Sequence, residues 1–174
     1  GNYFEAFQTL VKDNPFPAVM GRVCVKPCET GCNRNHIDTT INIHAVERYI
    51  GDEAIGNKWE VRNNAKPTGK KILVVGAGPG GLSAAYHLTL MGHTVDIFEA
   101  GDQPGGLLWS GVPEYRLPKE ILNAEIDRIV SLGVKIRLNY KVTDIIAEKE
   151  NGNYDAVFLA IGAQKIHTED FQHD

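Results

Sequence analysis

Apolar positions along the chain follow two regimes. In the first 66 residues they recur at helical spacing. Phe4, Phe7, Leu10 and Val11 predict a short helix stopped by Asn14-Pro15-Phe16-Pro17, and Val46, Tyr49 and Ile50 predict another that begins at His44. Farther on, short β-branched runs alternate with longer helical patterns. Residues 72–75 predict a buried parallel strand, 82–91 a helix ended by Gly92, and 94–98 a second strand. Residues 118–132 predict a helix with Pro118 in its first turn, Ile121, Leu122, Ile126, Ile129 and Val130 on its apolar positions, and Gly133 as its stop. Residues 134–138, and Val142 with Ile145 and Ile146, alternate as strands; residues 154–163 read as a buried strand running into a glycine turn. Strands alternating with helices predict an α/β fold with a parallel sheet.

The chemistry concentrates where the first strand meets its helix. Gly76, Gly78 and Gly81 stand in G-x-G-x-x-G spacing within Gly76-Ala77-Gly78-Pro79-Gly80-Gly81, and Glu99 follows 18 residues after Gly81, at the end of the second strand. The first glycine permits the tight turn, the second lets a pyrophosphate approach the backbone, and the third lets helix and strand pack closely. The helix start offers unpaired N–H groups to phosphate, and the acid accepts from ribose hydroxyls and disfavours a 2′-phosphate. In this strand–turn–helix–strand context the motif predicts a Rossmann-like dinucleotide-binding domain. It does not separate FAD from NAD. We place this domain at residues 67–174 and a mainly helical segment at 1–66, with the polar residues 51–69 as a linker.

That helical segment carries all three cysteines, Cys24, Cys28 and Cys32, spaced C-x3-C-x3-C in a stretch where Pro27 and Gly31 argue for a loop. An odd count in one tight cluster is no disulfide framework and predicts an intracellular metal or redox site. Iron–sulfur is favoured over zinc or redox thiols, because the spacing is not the two-pair arrangement of a structural zinc ribbon. A fourth ligand has to come from elsewhere: His36, Asp38, His44 or Glu47. On spacing alone a histidine leads, and Glu47 reads as a solvated helix residue beside Arg48.

Composition narrows the class. Of 174 residues, 43% are hydrophobic and 23% charged, enough to bury a core, and the net charge of −4 gives no electrostatic reason to expect nucleic acid or an anionic membrane. No apolar run approaches the roughly 20 residues of a membrane span, and no signal peptide is evident, so a cytoplasmic location is expected. Gly105-Gly106 permits close approach of a ligand, although on the residues alone a surface turn is the simpler reading. Arg116 likewise reads alone as a surface cation. His167 and His173 read as part of a polar tail.

Taken in order, Asn14-Pro15-Phe16-Pro17, Gly21-Arg22-Val23-Cys24, Cys28-Glu29, Cys32, Ile41-Asn42-Ile43, the glycine fingerprint, residues 104–108, 113–118 and 160–163 resemble the small subunit of bacterial glutamate synthase. The wider family includes the flavin half of dihydropyrimidine dehydrogenase and bifurcating ferredoxin:NADP reductases. The resemblance runs from about Tyr3 to Lys165. It implies FAD at residues 76–99 and a [4Fe–4S] cluster on Cys24, Cys28, Cys32 and Glu47, which reverses the ranking of the fourth ligand. It also carries Ala77, Pro79, Gly80, Gly106, Leu107, Arg116, Val142 and Gly162 to the flavin site. The helical segment then resembles an α-helical ferredoxin-like domain.

The same resemblance implies an electron-transfer module of an NAD(P)H-linked oxidoreductase. The NAD(P)H domain and an upstream four-cysteine motif would lie outside these residues, in a longer chain or in other redox subunits of a complex. Val25 departs from the proline usual after the first cysteine. No residue reads as a general acid or base, and none is named catalytic. Other redox complexes, or a non-catalytic relay or structural role, are the alternatives.

Overall fold

A computed structural model describes residues 1–163. The chain runs α1 (Tyr3–Leu10), α2 (Pro17–Val23), α3 (Pro27–Thr30), a 3-10 turn (Asn33–His36), α4 (Ile43–Gly56), β1 (Lys71–Val75), α5 (Pro79–Leu90), β2 (Thr94–Phe98), α6 (Leu107–Ser110), α7 (Lys119–Ser131), β3 (Lys135–Arg137), α8 (Ile145–Asn151) and β4 (Ala156–Leu159). The four strands form one parallel sheet in the order β3-β2-β1-β4. Strand order reverses at β1, which lies between β2 and β4. In an open parallel sheet, ligands bind beyond the carboxyl ends of the strands at that reversal.

Local chemistry explains the helix ends. Asn2 accepts from the Glu5 N–H and starts α1, and Pro17 opens α2, where a missing N–H costs nothing. The start of α4 is capped from a distance, because Glu29 accepts from the His44 N–H at 3.0 Å. Helices α2 and α4 cross at backbone contact. A Cβ on Gly21 would stand 2.6 Å from the Arg48 Cα, and one on Gly51 would stand 2.7 Å from the Ala18 Cα. Arg22, almost wholly buried, ties the crossing with a bidentate pair to Asp52 at 2.7 and 3.0 Å.

The helical segment and the sheet domain share one hydrophobic core. Phe7, Val11, Phe16, Val19, Ile50 and Ala54 pack in the same cluster as Val74, Leu82, Tyr86, Leu122 and Ile129. Two polar contacts reinforce the junction. The buried Tyr86 hydroxyl donates to the Val11 carbonyl at 2.7 Å. The fully buried Glu125 accepts from the Ala18 and Val19 N–H groups at 3.3 Å and from Arg128 at 2.5 Å.

Several expectations need correction. Val142 with Ile145 and Ile146 is not a strand: Asp144 accepts from the Ile146 and Ala147 N–H groups and starts α8 at Ile145. No continuous helix crosses the cysteines, as Pro27 and Gly31 lead one to expect, but α2 runs up to Val23 and Pro27 opens the short α3. Residues 51–56 are the last turns of α4, and the strip beyond them is pinned: Gln8 donates to Glu60 O and accepts from Arg62 N–H, while Asn63 donates to Thr89 O. The expected buried last strand, β4, leaves Phe158 and Leu159 44% and 52% exposed, because among the described residues it pairs only with β1. The tail containing His167 and His173 lies outside the described residues.

Candidate functional site

The glycine turn lies between β1 and α5, facing the end of β4. Gly76 has φ +105°, and a Cβ there would meet the Ala160 carbonyl, so only glycine fits. A Cβ on Gly81 would collide with the Gly76 carbonyl, which makes this the close helix–strand approach. Gly78 and Gly80 differ, since a Cβ on either would find nothing within 4 Å. The open space is a cradle at the first turn of α5, where Pro79 lacks an N–H and those of Gly80 and Gly81 precede the first intrahelical partners. Gly105 donates to the Ala77 carbonyl at 2.7 Å, and Gly106 lies against the Gly78 Cα, so the paired glycines form a second wall. Gly162, at φ +73°, follows β4 with open space about it.

Glu99 is placed at the end of β2, but its carboxylate is not idle. One oxygen accepts from the Ala77 N–H and the other from the Gly101 N–H, both at 2.7 Å. The acid holds the turn shut against β2, and lone pairs remain on both oxygens for ribose hydroxyls. Leu107 begins α6 and is 71% exposed. Val142 packs with Leu73, Val75 and Tyr154 on the sheet. Arg116 does not point free into solvent as a lone surface cation: its Nε donates to the Arg22 carbonyl at 3.1 Å, two residues before Cys24.

The cysteines occupy three consecutive corners. Cys24 ends α2, Cys28 lies on α3, and Cys32 precedes the 3-10 turn. All three are free thiols. Lys26 takes a left-handed conformation, φ 59°, which turns its N–H onto the Cys24 sulfur at 3.3 Å. The N–H groups of Ile41, Arg34 and Asn35 and the Thr40 hydroxyl hold the Cys32 thiol below its ordinary range, with Ile41 the largest influence. Donors aimed at sulfur stabilise thiolate and tune a cluster bound to it.

Among the described residues no three His, Cys, Asp or Glu side chains converge on a point that would hold one metal ion. A cluster distributes its ligands over several irons, so thiols set on separate corners, with N–H donors on Cys24 and Cys32, fit such a centre better than a single ion. The rival fourth ligands are otherwise engaged: His44 Nδ1 pairs with Glu29 at 2.7 Å and Asp38 pairs with Arg34 at 2.8 Å, while His36 lies exposed in the 3-10 turn. Glu47 is half-buried on α4, next to the Gly21–Arg48 crossing, within 3.5 Å of the Asn14 amide. It borders an apolar recess of about 550 Å³ between α1 and α4.

Sequence reasoning missed the Glu29 cap and the strained Lys26, for which the residue pattern holds no signal. It also missed Glu125, whose signal was present: Leu122, Glu125, Ile126 and Ile129 share one helix face, so a carboxylate interrupts an apolar stripe.

Comparison with known proteins agrees with this geometry. Residues 1–59 match the family model described as dihydropyrimidine dehydrogenase domain II, 4Fe-4S cluster, and residues 74–124 match an NAD(P)-binding Rossmann-like domain. The glutamate synthase [NADPH] small chain of Bacillus subtilis is 40% identical over 95% of this chain and 34% of its own length. Over nearly its whole length the chain is similar to glutamate synthase small chains. The NADPH-Fe(3+) oxidoreductase subunit beta of Geobacter sulfurreducens is 39% identical over 93% of the chain and 25% of its own length. PreT, the NAD-dependent dihydropyrimidine dehydrogenase subunit of Salmonella typhimurium, is 37% identical over 92% and 40%. The chain therefore spans between a quarter and two fifths of the length of these oxidoreductase subunits. A solved 2-naphthoyl-CoA reductase superposes on 67% of this chain and 18% of its own, with 29% identity and a TM-score of 0.51. Among the described residues no helix is long and apolar enough to cross a membrane.

Proposed function

We propose that this chain is the electron-transfer module of an NAD(P)H-linked oxidoreductase. The observation that carries the reading is the joining, through one core, of a glycine cradle at a sheet reversal and a bend of free thiols furnished with N–H donors. When bound, FAD supplies hydride acceptance from NAD(P)H followed by release of single electrons to a cluster.

The residues have separable tasks. Gly76 and Gly81 shape the turn, Gly78, Pro79 and Gly80 leave room for pyrophosphate, and Glu99 holds Ala77 while facing the ribose position. Gly106, Leu107, Arg116, Val142 and Gly162 complete the flavin surroundings. Cys24, Cys28, Cys32 and Glu47 hold the cluster. NAD(P)H reaches the flavin through a further dinucleotide-binding domain or a partner subunit, and the partner sets the final acceptor. The three free cysteines support a reducing, cytoplasmic setting.

Anaerobic purification followed by visible spectroscopy and iron and flavin assays tests this reading. Flavin bands with a broad iron–sulfur shoulder are expected, with stoichiometric FAD and several irons per chain. Protein free of both flavin and iron after anaerobic cofactor reconstitution overturns it.

A further inference from the structure

Helix α2 carries Cys24 at its end, and it is gripped at both ends by the dinucleotide-binding domain. At its start, the Ala18 and Val19 N–H groups donate to the two carboxylate oxygens of Glu125. Arg128 donates to Glu125 and, at 3.4 Å, to the Pro15 carbonyl just before the helix. Its Nε has no hydrogen-bond partner although buried, and its guanidinium sits 5.2 Å from the Phe7 ring centroid. An arginine held in so constrained a place, with one donor left unpaired, is expensive, and removing either partner exposes the other as a buried charge. At the far end, Arg116 from the loop after α6 donates to the Arg22 carbonyl. Hydrophobic packing alone would join the two halves of the core without specifying where α2 stops along α7. Directional contacts at both ends do specify it, and they leave Cys24 at a set place relative to the glycine turn.

We infer that Glu125 and Arg128 are positioning residues that set the spacing between the cluster at Cys24 and the flavin at Gly76–Gly81. Neither is assigned to electron chemistry; they act through α2. The inference rests on the proposed flavin and cluster and goes beyond it, because those cofactors can both bind without this strut controlling transfer between them.

The test uses the full chain with FAD and cluster incorporated. Flavin is reduced photochemically, and bleaching of the cluster bands is followed. Glu125→Gln keeps an acceptor for α2 but removes the charge opposite Arg128, and Arg128→Lys keeps that charge but cannot reach both Glu125 and the Pro15 carbonyl. Both are expected to keep iron, FAD content and cluster midpoint potential while the cluster loses its rapid reduction by flavin. Should Glu125→Gln fail to fold, Arg128→Lys decides alone. Wild-type transfer rates in either variant at full cofactor content overturn the inference and leave the proposed function standing. A wild-type chain that binds neither cofactor removes both.

Discussion

The crossing of α2 and α4 makes a sharp prediction at Gly51. Replacing it with alanine adds one methyl group to a helix interior, which in an open helix stabilises by about 1 kcal/mol. Here the new Cβ would stand 2.7 Å from the Ala18 Cα and 2.8 Å from its Cβ, and closer still to its nitrogen. None of these atoms is the end of a flexible side chain. Restoring an ordinary carbon–carbon separation of about 3.5–4.0 Å requires the helices to part by roughly 1 Å. A gap of that size forfeits roughly a quarter to a half of each contact's attraction along the interface. It also displaces the Ala18 nitrogen, the atom nearest the new Cβ, whose N–H donates to Glu125 at 3.3 Å. Overpacking of this kind costs about 1–3 kcal/mol, and the lost buried hydrogen bond adds about 1 kcal/mol. After subtracting the propensity gain, Gly51→Ala should destabilise by about 2 kcal/mol. With a denaturant slope near 2 kcal/mol per molar urea, the midpoint falls by roughly 1 M. Gly56→Ala is the control, because at the end of the same helix a Cβ meets nothing within 4 Å. It should be neutral or stabilising by up to about 1 kcal/mol. Urea unfolding followed by far-UV circular dichroism measures both. If Gly51→Ala proves as stable as Gly56→Ala, the helices do not touch at backbone level and the crossing is wrongly described.

Burial pushes the Tyr86 hydroxyl up to about 12, so the native state keeps its proton where the unfolded chain has lost it. Stability from this group is full below about pH 10 and declines as pH rises toward 12, by at most about 2–3 kcal/mol. Tyr86→Phe, which loses the bond to Val11, should be less stable at pH 8 by about 1 kcal/mol yet fall less steeply between pH 9 and 11 in thermal melts. Parallel profiles for the two proteins would refute this. Gly78→Ala should leave unfolding within about 0.5 kcal/mol of wild type, since space is open and φ is −74°, while flavin retention drops at least about tenfold on equilibrium dialysis. Undiminished flavin retention would mean the pyrophosphate does not pass there. Cys28→Ser, at an exposed thiol, should not change the stability of the metal-free chain by more than about 0.5 kcal/mol but should lower bound iron, as read by a ferrozine assay. Wild-type iron content would remove Cys28 from the ligand set.

Much of the site was legible before any coordinates. Strand, turn and helix at residues 71–90 are dictated locally: β-branched residues favour an extended buried run, and glycines admit backbone that other residues cannot adopt. The cysteine spacing likewise declared its chemistry, because thiols so close in a chain with no other cysteine have few structural uses. Val142 to Ile146 misled for a local reason too. Two adjacent isoleucines suggest a strand, whereas the Asp144 side chain offered a helix start that the hydrophobic pattern cannot register.

Tertiary structure alone decided how the two segments meet. No period in residues 1–66 indicates that α2 will rest on α7, that Glu29 will cap a helix fifteen residues away, or that Arg116 will reach the Arg22 carbonyl. Each depends on atoms far apart in sequence arriving together, and the gain appears only once the shared core has excluded water and made an unpaired polar group costly. Local residues therefore specified a dinucleotide turn and a thiol-bearing bend, and long-range packing specified how those two sites are held with respect to each other.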